Sequence, residues 1–215
     1  MQIDMNKLTP MMKQYLEVKN RYKDCILFFR LGDFYEMFFE DALVASKALE
    51  IALTGKACGL EERAPMCGVP FHSANSYISK LVENGYKVAI GEQMEDPSTA
   101  KGIVRREVIR VITPGTVLDG NLLENKKNNY LLSLYKDGTN IGLTYVDIST
   151  GETNATCLNE DKVIEEIAKI HPTEIIINDL DFIEKLRDIA TVSNIYINES
   201  FSDNYLDIKD RKSVV

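Results

Sequence analysis

The sequence has no tryptophan and only two histidines, His72 and His171, among its 215 residues. Neither histidine stands at ligand spacing from the other or from a cysteine, so no metal site is predicted. The G-x-x-x-x-G-K-[ST] phosphate loop, the G-x-G-x-x-G turn and the G-x-S-x-G nucleophile elbow are all missing. These absences argue against a nucleotide-binding or hydrolytic enzyme. They favour a binding module with no catalytic residue and no cofactor.

The sequence also lacks paired cysteines and long apolar runs. Its cysteines form no C-x-x-C pair, and no signal peptide precedes the first polar, helix-like stretch. Reduced thiols and a cytoplasmic location are therefore expected. Because no apolar run approaches the ~18 residues that span a bilayer, no membrane partner is predicted.

Charge is unevenly distributed along the chain. The net charge is −8 at pH 7, which by itself disfavours a nucleic-acid partner. Residues 1–113 nevertheless contain equal numbers of acidic and basic residues, and residues 114–215 carry the whole excess of negative charge. The first half can therefore present a basic face, and the second half is better suited to a protein partner.

Periodicity predicts a first domain of mixed α/β type. Helix patterns cover residues 11–18, 40–49 and 73–84. Strand patterns cover residues 25–31, 87–93 and 105–113. Residues 65–70, framed by two prolines, are predicted to form a rigid turn. Thr113-Pro114-Gly115 marks the predicted boundary, so the first domain is assigned to residues 1–115.

A second α/β domain is predicted over residues 130–215, after a polar linker at residues 116–129. A strand meander is followed by helix–strand alternation, at residues 130–135, 141–147, 154–158, 161–170, 174–177 and 181–189. The polar tail at residues 200–215 contains no closing element, so this domain is expected to be incomplete.

Three carboxylates of the second half, Asp147, Glu152 and Asp179, leave open a metal-dependent nuclease. Asp147 stands just ahead of Ser149-Thr150-Gly151, and an aspartate in that position usually serves the turn. A turn role is therefore favoured over catalysis. Cleavage of DNA with magnesium or manganese is not expected.

The segment Gly32-Asp33-Phe34-Tyr35-Glu36-Met37-Phe38-Phe39 places four aromatic residues directly after a glycine break. Core packing is the ordinary role of such residues. In an extended chain, however, Phe34, Glu36 and Phe38 share one face, and burying the Glu36 carboxylate in a core would be costly. This face is expected to reach solvent near Phe34, which makes Phe34 and Glu36 a candidate interaction tip. Tyr35, Phe38 and Phe39 are expected to pack inside.

Four basic residues cluster before the domain boundary, opposed by Glu107 alone: Lys101, Arg105, Arg106 and Arg110. In a strand, Arg106 and Arg110 would share one face and Arg105 would lie on the other. Such a cluster can be an ordinary solvated face. Beside an exposed aromatic tip, it is also a candidate contact for DNA phosphates.

The Phe34-Tyr35-Glu36 stretch resembles the Phe-x-Glu mismatch-reading motif of the MutS family of bacterial DNA mismatch repair proteins. Other stretches are also similar to this family, at residues 9–15, 65–72, 86–93 and 106–116. The similarity is dense through residue 118 and looser beyond it. The chain departs from the family's usual residues at Gly55, Cys67, Phe71 and Gly91. Gly55 stands where a basic residue is common, so Lys56 is expected to take over a contact with the DNA backbone.

The resemblance implies a mixed-sheet mismatch-recognition domain followed by an incomplete, RNase H-like connector domain without nuclease activity. It implies double-stranded DNA with mispairs or small insertion/deletion loops as the ligand. It further implies a MutL-type repair partner at the connector, a homodimer of the full-length protein and a location at the nucleoid. The family's ATPase domain, with its ATP and magnesium, would lie beyond residue 215, so no ATPase activity is expected here.

The resemblance makes Phe34 a wedge in the minor groove and Glu36 its hydrogen-bonding partner. Repulsion from phosphates and desolvation favour a protonated Glu36 carboxyl, which can donate to an acceptor on the base. Lys56, Arg105 and Arg106 are expected to hold backbone phosphates. An alternative of a different class is a protein–protein module, in which the acidic half docks a repair partner and residues 1–113 only pack.

Overall fold

The structure is a computed structural model that describes residues 4–95, 102–117 and 128–198. These residues form two compact units that divide between Thr113 and Pro114. Each unit contains one mixed sheet and its own helices, which confirms the predicted α/β class. Lys101, linker residues 118–127 and the tail at residues 200–215 lie outside the described residues.

The first unit contains a six-stranded sheet. Its elements in chain order are α1 (Pro10–Arg21), β1 (Cys25–Leu31), β2 (Phe34–Phe38), α2 (Phe39–Leu49), β3 (Thr54–Lys56), β4 (Ala64–Pro70), α3 (Ala74–Glu83), β5 (Lys87–Gln93) and β6 (Arg106–Ile112). The strand order is β3-β4-β2-β1-β5-β6. Strands β1 and β5 are parallel, and the other neighbours are antiparallel. The helices and strands predicted for this half are confirmed.

The rigid turn predicted at residues 65–70 is wrong, because these residues lie in strand β4. Pro65 and Pro70 occupy the second and last positions of this strand, and near a strand end the missing N–H of proline disturbs the ladder least. Between them, Val69 pairs with Tyr35, and Gly68 pairs with Glu36. The segment therefore lies directly beside the strand that carries the candidate tip.

The core on one face of this sheet lies under α1. Apolar residues of α1, β1 and β2 form one cluster, which includes Met12, Tyr15, Leu27, Phe29 and Phe38. The Tyr15 ring packs edge-on against Phe29 and Phe38, and its hydroxyl donates to Asp41 at 2.9 Å. Buried aromatic pairs of this geometry stabilise a fold beyond the area they bury. They hold the β1–β2 hairpin in place.

A β-bulge separates two arginines that are predicted to share one face. The register between β5 and β6 shifts at Ile90 and Gly91, so that Arg110 pairs with Ile90 but Val108 pairs with Gly91. An extra residue in one strand reverses the alternation of its side chains. Arg106 therefore lies on the α1 side of the sheet and Arg110 on the opposite side. The predicted common face is wrong.

The second unit is a three-stranded meander followed by alternating helices and strands. After a 3-10 turn (Pro114–Thr116), its elements are β7 (Tyr130–Asp137), β8 (Asn140–Asp147), β9 (Thr153–Asn159), α4 (Glu160–Ile170), β10 (Glu174–Ile177), α5 (Leu180–Ser193) and β11 (Tyr196–Asn198). The strand order is β11-β10-β7-β8-β9, with β10 parallel to both of its neighbours. All of these helices and strands match the predicted patterns except β11, whose three residues are too few to show a period.

The core of the second unit lies between its two helices and the sheet. Val163 and Ile167 of α4 and Phe182 of α5 are buried among apolar residues of β7, β8 and β10. In residues 4–95, 102–117 and 128–198, no helix combines the length and the apolar character needed to cross a membrane.

Candidate functional site

The turn of the β1–β2 hairpin presents Phe34 to solvent. Gly32 adopts a left-handed conformation with φ of 59°, which glycine reaches without side-chain strain, and Phe34 then begins β2. Phe34 is 46% exposed, whereas Tyr35 and Phe38 are buried. Phe39 packs against the cluster under α1. The predicted exposure of Phe34 and the predicted packing of the other three aromatic residues are confirmed.

Glu36 lies on the same face of the sheet as Phe34, two residues further from the turn. It pairs with Phe29 of β1 on one side and Gly68 of β4 on the other, and its side chain is 16% exposed. A Cβ on Gly68 would lie 3.4 Å from the Glu36 Cγ, so the missing side chain leaves room for the carboxylate. The two residues of the candidate tip are thus neighbours on one surface.

The Glu36 carboxylate forms an ion pair with the Lys56 ammonium. Lys56 is the last residue of β3, and β4 separates β3 from β2. Its side chain reaches across β4, and its Nζ lies 5.6 Å from the centroid of the Phe38 ring. Only a phosphate contact is predicted for Lys56. Its pairing with Glu36 has no signal in the sequence, because it depends on β4 pairing with β3 on one side and with β2 on the other.

Arg106 lies on the same face of the sheet as Glu36 and is 7% exposed. Its guanidinium donates to the Arg30 and Val104 carbonyls and to Gln14 Oε1, and its Cζ lies 5.2 Å from the centroid of the Phe29 ring. Burial lowers the pKa of Arg106, and the charge of Glu36 opposes that shift. The predicted phosphate contact stays a prediction, and it requires this guanidinium to leave buried acceptors.

Arg105 is accessible, in contrast to its neighbour in the sequence. Its Nη2 lies 2.7 Å from Glu107 Oε1, in an ion pair whose side chains are largely solvated. Exposed ion pairs contribute little to stability, so a phosphate can replace Glu107 at small cost. Arg105 is therefore better placed than Arg106 to hold a phosphate.

The other face of the hairpin carries a polar network that is not predicted from the sequence. Arg30 packs its guanidinium on the Phe71 ring and lies near Glu92, and the Tyr35 hydroxyl donates to Glu92. Burial, together with this hydrogen bond and the Glu92 charge, raises the pKa of Tyr35 to about 12. Arg30 and Glu92 lie 62 positions apart in the sequence. The parallel pairing of β1 with β5 brings them together.

The three carboxylates considered for a nuclease serve local structure. Asp147 accepts hydrogen bonds from Ser149, Thr150 and Asn129. Burial acts to raise the pKa of Asp147, but these hydrogen bonds outweigh burial and hold it below its ordinary value. Glu152 accepts from the Tyr130 hydroxyl.

Asp179 is the N-cap of α5, where its Oδ1 accepts from the Phe182 N–H at 2.8 Å. An N-cap carboxylate satisfies a backbone donor that the helix itself leaves unpaired. The turn role favoured for Asp147 is confirmed, and Asp179 has a comparable local role. Within the part of the chain that the structure describes, no group of three His, Cys, Asp or Glu side chains is placed to hold a metal ion.

Comparison with known proteins relates both units to one family. The family model for MutS domain I matches residues 9–121, and the family model for MutS domain II matches residues 129–209. The first match contains the whole candidate tip with Lys56, Arg105 and Arg106. The second contains the meander and the helices that follow it.

Relatives named DNA mismatch repair protein MutS share most of the chain. The relative from Acetivibrio thermocellus is 65% identical over 178 residues, which are 81% of this chain and 20% of the relative. The relative from Alkaliphilus oremlandii is 61% identical over 191 residues, 87% of this chain and 21% of the relative. The relative from Clostridium tetani is 52% identical over 204 residues, 93% of this chain and 23% of the relative. The chain spans about a fifth of the length of these curated relatives, and with both of its units matched it belongs to the MutS family.

Proposed function

We propose that this chain binds mismatched DNA in DNA mismatch repair, with the turn of the β1–β2 hairpin as its reading tip. The observation that carries the proposal is the exposed Phe34 ring beside Glu36, in a segment whose other aromatic residues pack inside. The relatives are DNA mismatch repair proteins by name, which supports the same function.

Phe34 acts as a wedge between bases in the minor groove. Apolar wedges unstack a base step and kink the duplex, at a cost of a few kcal/mol per step. A mispair is held more weakly than a Watson–Crick pair, so the same deformation costs less there. Preference for a mispair then follows from the deformability of the DNA and requires no code of base contacts.

Glu36 donates a hydrogen bond to the base that the wedge displaces. Only a protonated carboxyl can donate, and phosphate repulsion together with desolvation at the DNA surface favours that form. Glu36→Gln keeps a donor without a charge. We therefore expect this variant to keep or improve affinity for DNA, because the repulsion between the Glu36 charge and the phosphates is lost. Its preference for mispairs should decline, because a matched duplex no longer bears that repulsion, and an unchanged preference would contradict this role of Glu36.

Lys56, Arg105 and Arg106 are the proposed contacts to backbone phosphates. Such contacts fix position and contribute affinity without sequence information. The solvated ion pair of Arg105 favours it as an immediate contact. Lys56 and Arg106 are occupied by protein acceptors, so each must exchange a protein acceptor for a phosphate.

For the whole protein we propose the properties that the family resemblance implies. These are an ATPase domain that uses ATP and magnesium, a homodimer, and a MutL-type partner at the second unit. The negative charge of residues 114–215 suits a protein partner better than DNA. Mismatch reading is assigned to the first unit.

The deciding experiment compares Phe34→Ala with the unchanged chain on a mismatched and a matched duplex of otherwise identical sequence. We expect the ratio of the two affinities to fall to about one, while the free energy of unfolding changes by no more than about 0.5 kcal/mol because Phe34 is exposed. Ile109→Ala removes another exposed apolar side chain and serves as the matched control, with an unchanged ratio. A mismatch preference that survives Phe34→Ala, or a chain that unfolds on this change, would contradict the proposal.

A further inference from the structure

The Lys56–Glu36 ion pair occupies the side chain that the proposed function assigns to the base. The Lys56 Nζ contacts Glu36 Oε2, in a pair whose side chains are 34% and 16% exposed. A carboxylate in an ion pair carries no proton and has nothing to donate to a base. Once it takes up a proton, its charge no longer attracts the ammonium. Glu36 must therefore separate from Lys56 before it engages a mispair.

Of the two cations that act on Glu36, Lys56 is the one that can leave. Arg106 is buried and holds Arg30, Val104 and Gln14 through three separate contacts. Lys56 ends a three-residue strand at the edge of the sheet, and its ammonium is on a flexible stem. Gly68, beside Glu36, has no side chain to stand between the two partners.

We propose that Lys56 is a specificity-determining residue that exchanges Glu36 for a DNA phosphate only when a mispaired base takes Glu36. The inference rests on the proposed function of Glu36. On a matched duplex the ion pair stays closed, and Lys56 adds no phosphate contact. On a mispair, Glu36 turns to the base, and the released ammonium neutralises a phosphate.

This exchange makes mismatch preference depend on salt. Each phosphate that a cation neutralises adds about 0.9 to the slope of the logarithm of affinity against the logarithm of salt concentration. The slope is therefore steeper for the mismatched duplex by about that amount. Between about 50 and about 200 mM salt, the preference for the mispair is expected to fall about threefold.

The same exchange explains why loss of the Glu36 charge should improve binding to matched DNA. In Glu36→Gln, Lys56 has lost its ionic partner on the protein and is available to a phosphate on either duplex. The affinity for the matched duplex should then rise and acquire the steeper salt slope. The advantage of the mispair shrinks because the matched complex gains, and not only because the mispaired complex loses.

The test measures the affinity of the 215-residue chain for both duplexes across this salt range. The variants are Lys56→Met, which keeps the apolar stem over Phe38, Lys56→Arg, which keeps the charge, and Lys80→Met as a control. Lys80 pairs with Glu50 on a largely exposed surface, so its loss tests a general effect of charge. We expect Lys56→Met to make the mismatch preference independent of salt. In the double variant with Glu36→Gln, it should also cancel the rise in affinity for the matched duplex. In Lys56→Arg and Lys80→Met, the mismatch preference should still fall about threefold across the salt range.

The outcomes separate this inference from the function on which it rests. A mismatch preference that keeps its threefold fall in Lys56→Met, or an equal slope for both duplexes in the unchanged chain, would overturn the exchange and leave the reading tip intact. Absence of any mismatch preference in the unchanged chain would overturn the proposed function, and the exchange with it.

Discussion

The Arg30 guanidinium carbon lies 3.7 Å from the centroid of the Phe71 ring, directly behind the turn that carries Phe34. Arg30 Nε donates to the Gly32 carbonyl, and the Phe71 N–H donates to the Asp33 carbonyl at 2.9 Å. Both residues of the turn are thus held by this stacked pair. Phe34 can unstack a base step only if the turn that carries it is held rigidly, because a flexible turn would deform more easily than the DNA.

The stacked pair predicts a loss of mismatch preference in Phe71→Ala. Cation–π contacts contribute about 0.5–2 kcal/mol, so we expect the free energy of unfolding to fall by about 1 kcal/mol. If a similar amount is lost from the placement of Phe34, mismatch preference falls about fivefold, since 1.4 kcal/mol is a factor of ten. Affinities for mismatched and matched duplexes and a denaturant titration measure both effects. Phe71→Tyr keeps the ring and is the control; an Ala variant with full preference would show that the turn needs no such support.

The candidate tip could be predicted from the sequence because its signals are local. Gly32 breaks a strand pattern, and the alternation of side chains beyond it puts Phe34 and Glu36 on one face. Neither inference requires knowledge of a distant residue. Phe34 is exposed as predicted. The premise that Glu36 keeps this face out of the core is wrong, because Glu36 is only 16% exposed and Phe38 on the same face is buried. The ion pair with Lys56 offsets the cost of burying the carboxylate.

What surrounds the tip could not be predicted, because it depends on how distant strands pair. Lys56 reaches Glu36 only across β4, and the two prolines of β4 favour a turn in a reading of the sequence alone. A β-bulge places Arg106 and Arg110 on opposite faces of the sheet. A single extra residue in a strand cannot be recognised from composition. Basic residues are easy to find in a sequence, but their partners are set by register.

Gly115→Ala is predicted to destabilise the second unit. The Gly115 N–H donates to Glu174 Oε2 at 2.8 Å, and a Cβ on Gly115 would lie 2.8 Å from the Glu174 Cβ. Overpacking of a well-filled site typically costs about 1–3 kcal/mol, and we expect a loss of that size in a denaturant titration. Gly142→Ala is the control, because its Cβ would meet nothing closer than 3.7 Å. Equal stability of the two variants would mean that the 3-10 turn shifts freely away from β10.

The four cysteines are predicted to differ sharply in reactivity. Cys157 is exposed, whereas the other three are buried. Burial raises the pKa of Cys25 to about 12 and that of Cys67 to about 11, and only the thiolate is a nucleophile. With iodoacetamide at about pH 8, close to the ordinary thiol pKa, mass spectrometry should find one rapidly alkylated thiol in the folded chain and none in Cys157→Ser. Rapid modification of Cys25 or Cys67 under native conditions would contradict their burial.

The Tyr35–Glu92 hydrogen bond predicts a loss of stability at alkaline pH. Burial raises the pKa of Tyr35 to about 12, whereas an unfolded tyrosine titrates near pH 10. The folded state therefore binds the proton more tightly, so this contribution to stability is complete below about pH 10 and is lost as the pH rises toward 12. Tyr35→Phe should be less stable at neutral pH by about 1 kcal/mol, the usual value of one hydrogen bond. Denaturant titrations at a series of pH values should show that this deficit narrows above about pH 10. Tyr135→Phe changes an exposed tyrosine and should show no such trend. A stability deficit that stays constant with pH would mean that folding does not raise the pKa of Tyr35.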